Sequence, residues 1–212
     1  MNILIHPAYF GTIESYIALA QAENVTLEMA DNYQKQTYRN RTYITTSTGK
    51  LSLNIPIKHA STGTRGTRET VHQKYKDVKT ENDFPWRKTH WKSIQNAYRT
   101  SPYFEYYEDD LAPIFEKDPV FLLDFNLDIF SVINELLGID VPVFKTEQYE
   151  ADASLLTDLR HLIVVKREPA ITFSPYKQVF QEQDDFLPNL SILDLLFNEG
   201  PNTLTYLENH RL

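Results

Sequence analysis

Apolar positions follow two periods along this chain, and the first thirty residues show both. Asn2 to Ile5 is a short apolar run of strand length, Thr12 to Ala20 repeats apolar residues at helical spacing, and Val25 to Met29 is strand-like again. This β-loop-α-β opening predicts an α/β sheet whose first strands run parallel. The loop His6-Pro7-Ala8-Tyr9-Phe10-Gly11 then leaves the carboxyl end of the first strand, a common ligand position in such sheets.

Further along, Arg41 to Ser47 and Leu51 to Lys58 are β-rich and predict a hairpin around Thr48-Gly49-Lys50. His59 to Arg68 is polar and basic and reads as a mobile loop, followed by a strand over Thr70 to Val78. Pro85 opens a helix to about Tyr98, a second helix covers Phe104 to Phe115, and a third runs from Pro119 to Leu137 before Gly138. Apolar residues surround most of that third helix, which predicts an element packed on more than one side and the centre of the core. Val143 to Glu147 and Ile163 to Lys166 read as strands with a helix over Ser154 to His161 between them, and Ser191 to Asn198 as a last helix ended by Gly200-Pro201. The fold class expected is α/β: a mixed sheet with parallel N-terminal strands, an appended β-hairpin and a mainly helical C-terminal half. No repeat or linker interrupts the pattern, so residues 1–212 read as a single domain.

Charge sharpens this by segment. Residues 1–34 hold no Lys or Arg and four acids, residues 35–99 hold fourteen bases against four acids, and residues 100–212 hold seven bases against twenty-one acids. The basic segment suggests a local site for a small anionic substrate inside a protein whose overall field, net −8, disfavours extended nucleic acid. The alternative is basic faces solvated or paired with the acidic half. With no cysteine, disulfides, thiolate nucleophiles and sulfur-ligated zinc are excluded. The six histidines are nowhere three to five residues apart, so no helical metal pair is spelled out and neither a metal nor a cofactor is expected. No run approaches the roughly eighteen apolar residues of a membrane span, and the N-terminus lacks a basic leader; a cytoplasmic location is expected.

Candidate chemistry concentrates on the helix from Trp86. At 100° per residue, Trp86, Arg87, His90, Trp91, Ile94, Ala97 and Tyr98 fall within an arc of about 140°. That apolar face contains a guanidinium, which needs a carboxylate or phosphate partner, and a histidine that suits either a general base on a pocket wall or a core position. His6, at the end of the first strand before a helix N-terminus, is the second candidate base. Arg39, Asn40 and Arg41 at the hairpin entry could recognise carboxylate or phosphate, and Asp31, after the second strand, could cap a turn or bind a sugar hydroxyl. Tyr103, Phe104, Tyr106 and Tyr107 are interleaved with acids, which argues against a nucleic-acid stacking platform. They read as core packing or a subunit contact, which leaves a homo-oligomer open.

Several short motifs in order resemble the WbqC-like protein family over nearly the whole chain. They are His6-Pro7-Ala8-Tyr9-Phe10 after the opening strand, Tyr38-Arg39-Asn40-Arg41 before the Gly49 hairpin and Leu51-Ser52-Leu53-Asn54-Ile55-Pro56-Ile57, Trp86-Arg87-Lys88-Thr89-His90 with Ile94 and Tyr98, Pro102-Tyr103-Phe104, Asn126, Leu137-Gly138, and Leu190 to Phe197. The chain has His6 where many relatives have Gln, and Thr42 where many have a second Asn. The resemblance implies a bacterial protein of O-antigen or other surface-polysaccharide biosynthesis that modifies an amino sugar, for example by attaching a glycyl or related acyl group.

On that basis the expected function is a cytoplasmic transferase acylating the amine of a nucleotide-linked amino sugar. His90 and His6 are the expected catalytic residues, and Arg39, Asn40, Arg41, Lys58, Trp86, Arg87 and Tyr98 the expected substrate-binding ones. The alternative is a non-catalytic protein that binds a sugar nucleotide or a pathway partner; an RNA-binding role for residues 35–99 ranks last.

Overall fold

A computed structural model describes residues 1–58, 73–181 and 186–212. Strands β1 (Asn2–Ile5), β2 (Asn24–Leu27), β5 (Val143–Lys145) and β6 (Thr157–Asp158) form a parallel sheet in the order β5-β2-β1-β6. Ile3, Leu4 and Ile5 of β1 are all buried, as expected for an inner strand covered on both faces. Helix α1 (Ile13–Ala20) returns the chain from β1 to β2, its start fixed by the Thr12 side chain accepting from the Ser15 N–H. The chain moves outward from β1 through β2 to β5, then comes back to lay β6 on the other side of β1. That reversal opens a crevice at the carboxyl ends of β1 and β6.

Strands β3 (Arg41–Thr46) and β4 (Gly49–Asn54) form the separate antiparallel hairpin, in register from Arg41 opposite Asn54 to Thr46 opposite Gly49. Gly49 takes φ 94° as the chain leaves the turn, a value that side chains disfavour. Helices α2 (Trp86–Tyr98), α3 (Phe104–Leu111), α4 (Leu122–Leu137), α5 (Ile192–Glu199) and α6 (Thr203–Glu208) make up most of the remaining regular structure. The fold is thus the mixed α/β arrangement expected, and α4 supplies buried Leu123, Phe125, Ile129, Phe130 and Ile133 to the main core. Gly138 ends α4 in the left-handed region at φ 69°.

Several boundaries differ from expectation. Helix α4 begins at Leu122 because the carbonyl of Pro119 accepts from Thr80 and Asn82, and Phe121 is extended in a bridge to Lys79. Helix α3 tightens into a 3₁₀ turn over Ala112–Phe115, where Pro113 cannot donate a helical bond. Of the strand expected over Thr70 to Val78, residues 70–72 lie outside the described residues, as does the basic loop from His59. The remainder folds as a 3₁₀ turn, Tyr75–Asp77. The stretch Ser154 to His161 is not a helix: it carries β6, paired with Ile3 and Leu4, and then the 3₁₀ turn Arg160–Ile163. Consequently Ile163 to Lys166 is not a strand either. Among the described residues no helix is long and apolar enough to cross a membrane.

Candidate functional site

The parallel strands deliver a polar cluster to their carboxyl ends. His6 follows β1, Glu28 and Asp31 follow β2, Asp158 closes β6, and Arg160 opens the next turn. Arg39 joins them from the segment leading into β3. The chain is fixed here at two successive residues: the Tyr38 N–H donates to the Ile163 carbonyl, and Asn126 of α4 donates to the Arg39 carbonyl at 2.7 Å. The guanidinium lies over the Tyr75 ring, 5.2 Å from its centroid.

One oxygen organises the centre. Asp31 Oδ2 accepts from Arg39 Nη2 at 2.7 Å and lies 3.2 Å from His6 Nε2, while Arg39 Nη2 is 3.0 Å from His6 Nε2 and 3.3 Å from Nδ1. The second oxygen, Oδ1, accepts from the Asn32 N–H. The Arg39 side chain is 0% exposed and that of His6 2%, so both are removed from water. Burial lowers the His6 pKa below 6.5, with the Arg39 charge acting the same way and Asp31 and Glu28 opposing. Burial alone would raise Asp31, but the His6 contact and the Arg39 charge outweigh it and hold its carboxyl below the ordinary value. The cluster therefore holds a neutral imidazole beside an ionised carboxylate. Arg39 Nε and Nη1 are buried without hydrogen-bond partners among the described residues.

Arg160 closes the other side. It donates to both oxygens of Asp158, to Glu28 at 3.3 Å, and to the carbonyls of Glu150 and Ala151. Its donors are spent on the protein, so it is a brace. Together His6, Asp31, Arg39, Asp158, Arg160 and His161 line a cavity of about 370 Å³. Glu28, buried behind the Arg160 contact, lines a larger neighbouring cavity of about 710 Å³ with Glu147, Glu150 and Asp152. The larger space has the acidic rim; the smaller one combines the imidazole with carboxylates and guanidinium groups.

The other expected site residues are spread over the molecule. Trp86 and His90 are buried together in the core: the His90 ring is 5.2 Å from that of Trp86, and His90 Nδ1 pairs with the Tyr9 hydroxyl at 2.8 Å. Burial pushes the His90 pKa down to about 4, a backbone contact with Asn54 opposing. Arg87 is ion-paired with Asp118 and donates to the carbonyls of Phe115 and Glu116. The Tyr98 hydroxyl donates to buried Asp194 at 2.7 Å, where Tyr176 and Gln178 also donate. Asn40 donates to the Ile55 carbonyl at 3.0 Å, and Lys58 lies 3.8 Å from Glu81. Arg41 has no ion-pair partner among the described residues, and its Nε is buried without a hydrogen bond. The structure thus brings His6 and Arg39 together and sets the Trp86 helix face apart from them. Of the aromatic patch, Phe104 and Tyr107 are buried and Tyr106 is exposed.

Sequence reasoning weighed Asp31 only as a cap or hydroxyl ligand and passed over Glu28, Asp158 and Arg160. Acidic residues just past the ends of parallel strands are the available signal for Glu28 and Asp31. Asp158 was hidden by reading β6 as helix.

Comparison with known proteins adds two findings. A family model described as the WbqC-like protein family matches residues 6–169 and 163–206, which include every residue of the cluster. Uncharacterized protein Rv1507c of Mycobacterium tuberculosis is 25% identical over 201 residues, spanning 82% of this chain and 83% of that protein. No solved structure matches.

Proposed function

The chain belongs to the WbqC-like protein family, and on that premise we propose that it is a cytoplasmic transferase of bacterial surface-polysaccharide (O-antigen) biosynthesis, acting as one WbqC-like domain on a nucleotide-linked amino sugar. The observation that carries this reading is the neutral His6 imidazole packed against ionised Asp31 in a cavity at the carboxyl ends of β1 and β6. In the proposed reaction the sugar amine attacks the carbonyl carbon of an activated glycyl or related acyl donor. A carbon–nitrogen bond forms, the bond to the donor's leaving group breaks with the electron pair leaving on that group, and the amine proton passes to His6. The carboxylates Asp31 and Asp158 suit the hydroxyl and amine groups of the sugar. Arg41, the arginine of the 39–41 stretch without a carboxylate partner among the described residues, suits the phosphates.

A second reading is a binding protein without catalysis, favoured by the 2% exposure of the His6 side chain. One experiment separates them: incubate the protein with a panel of nucleotide amino sugars and activated amino acids, follow the sugar by mass spectrometry, and measure binding of the same sugars by calorimetry. A mass gain on the sugar that His6→Gln abolishes supports transfer. Binding with no mass gain selects the second reading, and neither binding nor gain overturns both.

A further inference from the structure

We infer that Arg39 is the residue that keeps His6 a free base while Asp31 stands in contact with it. The inference deepens the proposed transferase reading, since a general base must be unprotonated to act, but its geometry stands independently of any substrate.

A carboxylate at 3.2 Å from an imidazole nitrogen normally favours the imidazolium. Here the same oxygen is already held by Arg39 Nη2 at the shorter distance of 2.7 Å, so most of its charge is answered before the histidine competes for it. The same Nη2 sits against the ring edge, 3.0 and 3.3 Å from the two ring nitrogens. A guanidinium nitrogen only donates. A neutral ring offers it one lone pair in either tautomer; an imidazolium offers none and brings two cations into contact inside a site shielded from water.

Burial acts in the same direction, but among the described residues the surroundings supply no other cation against the ring. From the β2 side His6 meets Asp31 and Glu28, both acidic; across the cavity stand Asp158, Arg160 and His161. Arg160 is bound to Asp158 and Glu28. On the opposite side Ser15, Tyr16 and Leu19 of α1 and Phe130 of α4 are uncharged. Among the described residues Arg39 is therefore the one cation in direct contact with the imidazole. Its immobility follows from the Asn126 bond to its backbone and the Tyr75 ring beneath it, which makes it a positioning residue, acting on substrate only through His6.

The test is an NMR titration of the His6 ring in the intact protein, with no ligand needed. The wild type is expected to titrate below 6.5, or not at all before unfolding. In Arg39→Gln only burial opposes the Asp31 contact, and the midpoint is expected to rise above that of the wild type; Arg39→Lys, which restores a cation, is expected to bring it back down. A wild-type midpoint above 6.5, or a folded Arg39→Gln protein whose His6 midpoint matches the wild type, overturns the inference. If Arg39→Gln does not fold, Arg39→Met decides on the same reading: a His6 midpoint above that of the wild type supports the inference, and one that matches it, or no titration in either protein, overturns it. Failure of the mass-gain and binding assays with these titrations as expected would remove the transferase reading and leave the Arg39 role standing.

Discussion

Acidification from pH 7 to pH 5 is expected to destabilise this protein by about 2 kcal/mol through His90 alone. The ring sits under Trp86 and against Tyr9, and burial holds its pKa at about 4, against 6.5 for an open imidazole. The unfolded chain therefore binds the proton first. Stability from this group is complete above pH 6.5 and falls away as the pH drops toward 4. At about 1.4 kcal/mol per pH unit between those values, the loss is about 2 kcal/mol at pH 5 and about 3 kcal/mol at pH 4. Set against a typical stability of roughly 5 to 15 kcal/mol, that is a large share. His6, also lowered, adds a loss of the same sign. Asp194, buried and raised, acts oppositely: it takes up a proton more readily when folded, so its contribution grows as the pH falls through its folded pKa.

The assay is urea denaturation at pH 7, 6 and 5, followed by tryptophan fluorescence, for which Trp86 lies 5.2 Å from the His90 ring. His90→Phe removes the titration. It also leaves the Tyr9 hydroxyl without its partner, at a cost of about 1 to 3 kcal/mol at every pH, so the decisive quantity is the gap between pH 7 and pH 5. That gap should shrink by about 2 kcal/mol in the variant. An equal gap in variant and parent would refute the buried, neutral His90. His90→Gln gives a second check at pH 7: a partly exposed catalytic histidine would leave stability within about 1 kcal/mol, whereas the buried one loses more.

Three further outcomes are expected. Leu123→Ala and Phe130→Ala, both in the buried face of α4, should each cost roughly 2 to 5 kcal/mol in urea denaturation; unchanged midpoints would refute the central role of that helix. Tyr98→Phe removes the 2.7 Å donor to Asp194 and should cost about 1 to 3 kcal/mol, while leaving sugar-nucleotide binding by calorimetry unchanged. Gly200→Ala should lower the melting temperature, because Gly200 has φ 53° and a Cβ there would run into the Tyr103 ring; a melting temperature equal to the parent's would contradict that close approach.

The parts of the fold legible from sequence are those whose signals are local. Ile3-Leu4-Ile5 and the helical repeat from Ile13 announce β1 and α1, and Thr12 marks the cap. The wheel of the Trp86 helix was also readable: Trp86, His90, Ile94, Ala97 and Tyr98 are its buried positions. What covers that face was not, since Tyr9 and Phe125 arrive from far along the chain. Strand β6 is two residues long and exists only through its pairing with β1. Around it Leu155, Leu156, Leu159 and Leu162 imitate helical spacing, yet Leu155 is 94% exposed while Leu159 and Leu162 are buried. The site suffered for the same reason: His6 and Arg39 each carried a signal, but the oxygen that joins them belongs to Asp31, and only the sheet brings the three together.

Charge density along the chain and charge density in space are different quantities here. The basic segment suggested an anion site, but three of its arginines find acids: Arg39 meets Asp31, Arg87 meets Asp118, and Arg99 approaches Glu108 at 3.8 Å. Exposed pairs of the last kind are worth little, whereas the Arg39 pair, out of water, sets the state of its neighbours. Within the carboxyl-edge cluster, Glu28, Asp31 and Asp158 outnumber Arg39 and Arg160 by one. A phosphate entering among them would meet a cluster of net negative charge, while an amine or a hydroxyl would meet carboxylate oxygens. Under the proposed transferase reading, this edge would take the sugar end of the substrate, with the phosphates left to a cation outside the cluster. Arg41 is the arginine of that entry stretch without a carboxylate bound to it among the described residues, so it is the side chain whose loss should weaken nucleotide binding without altering the titration of His6.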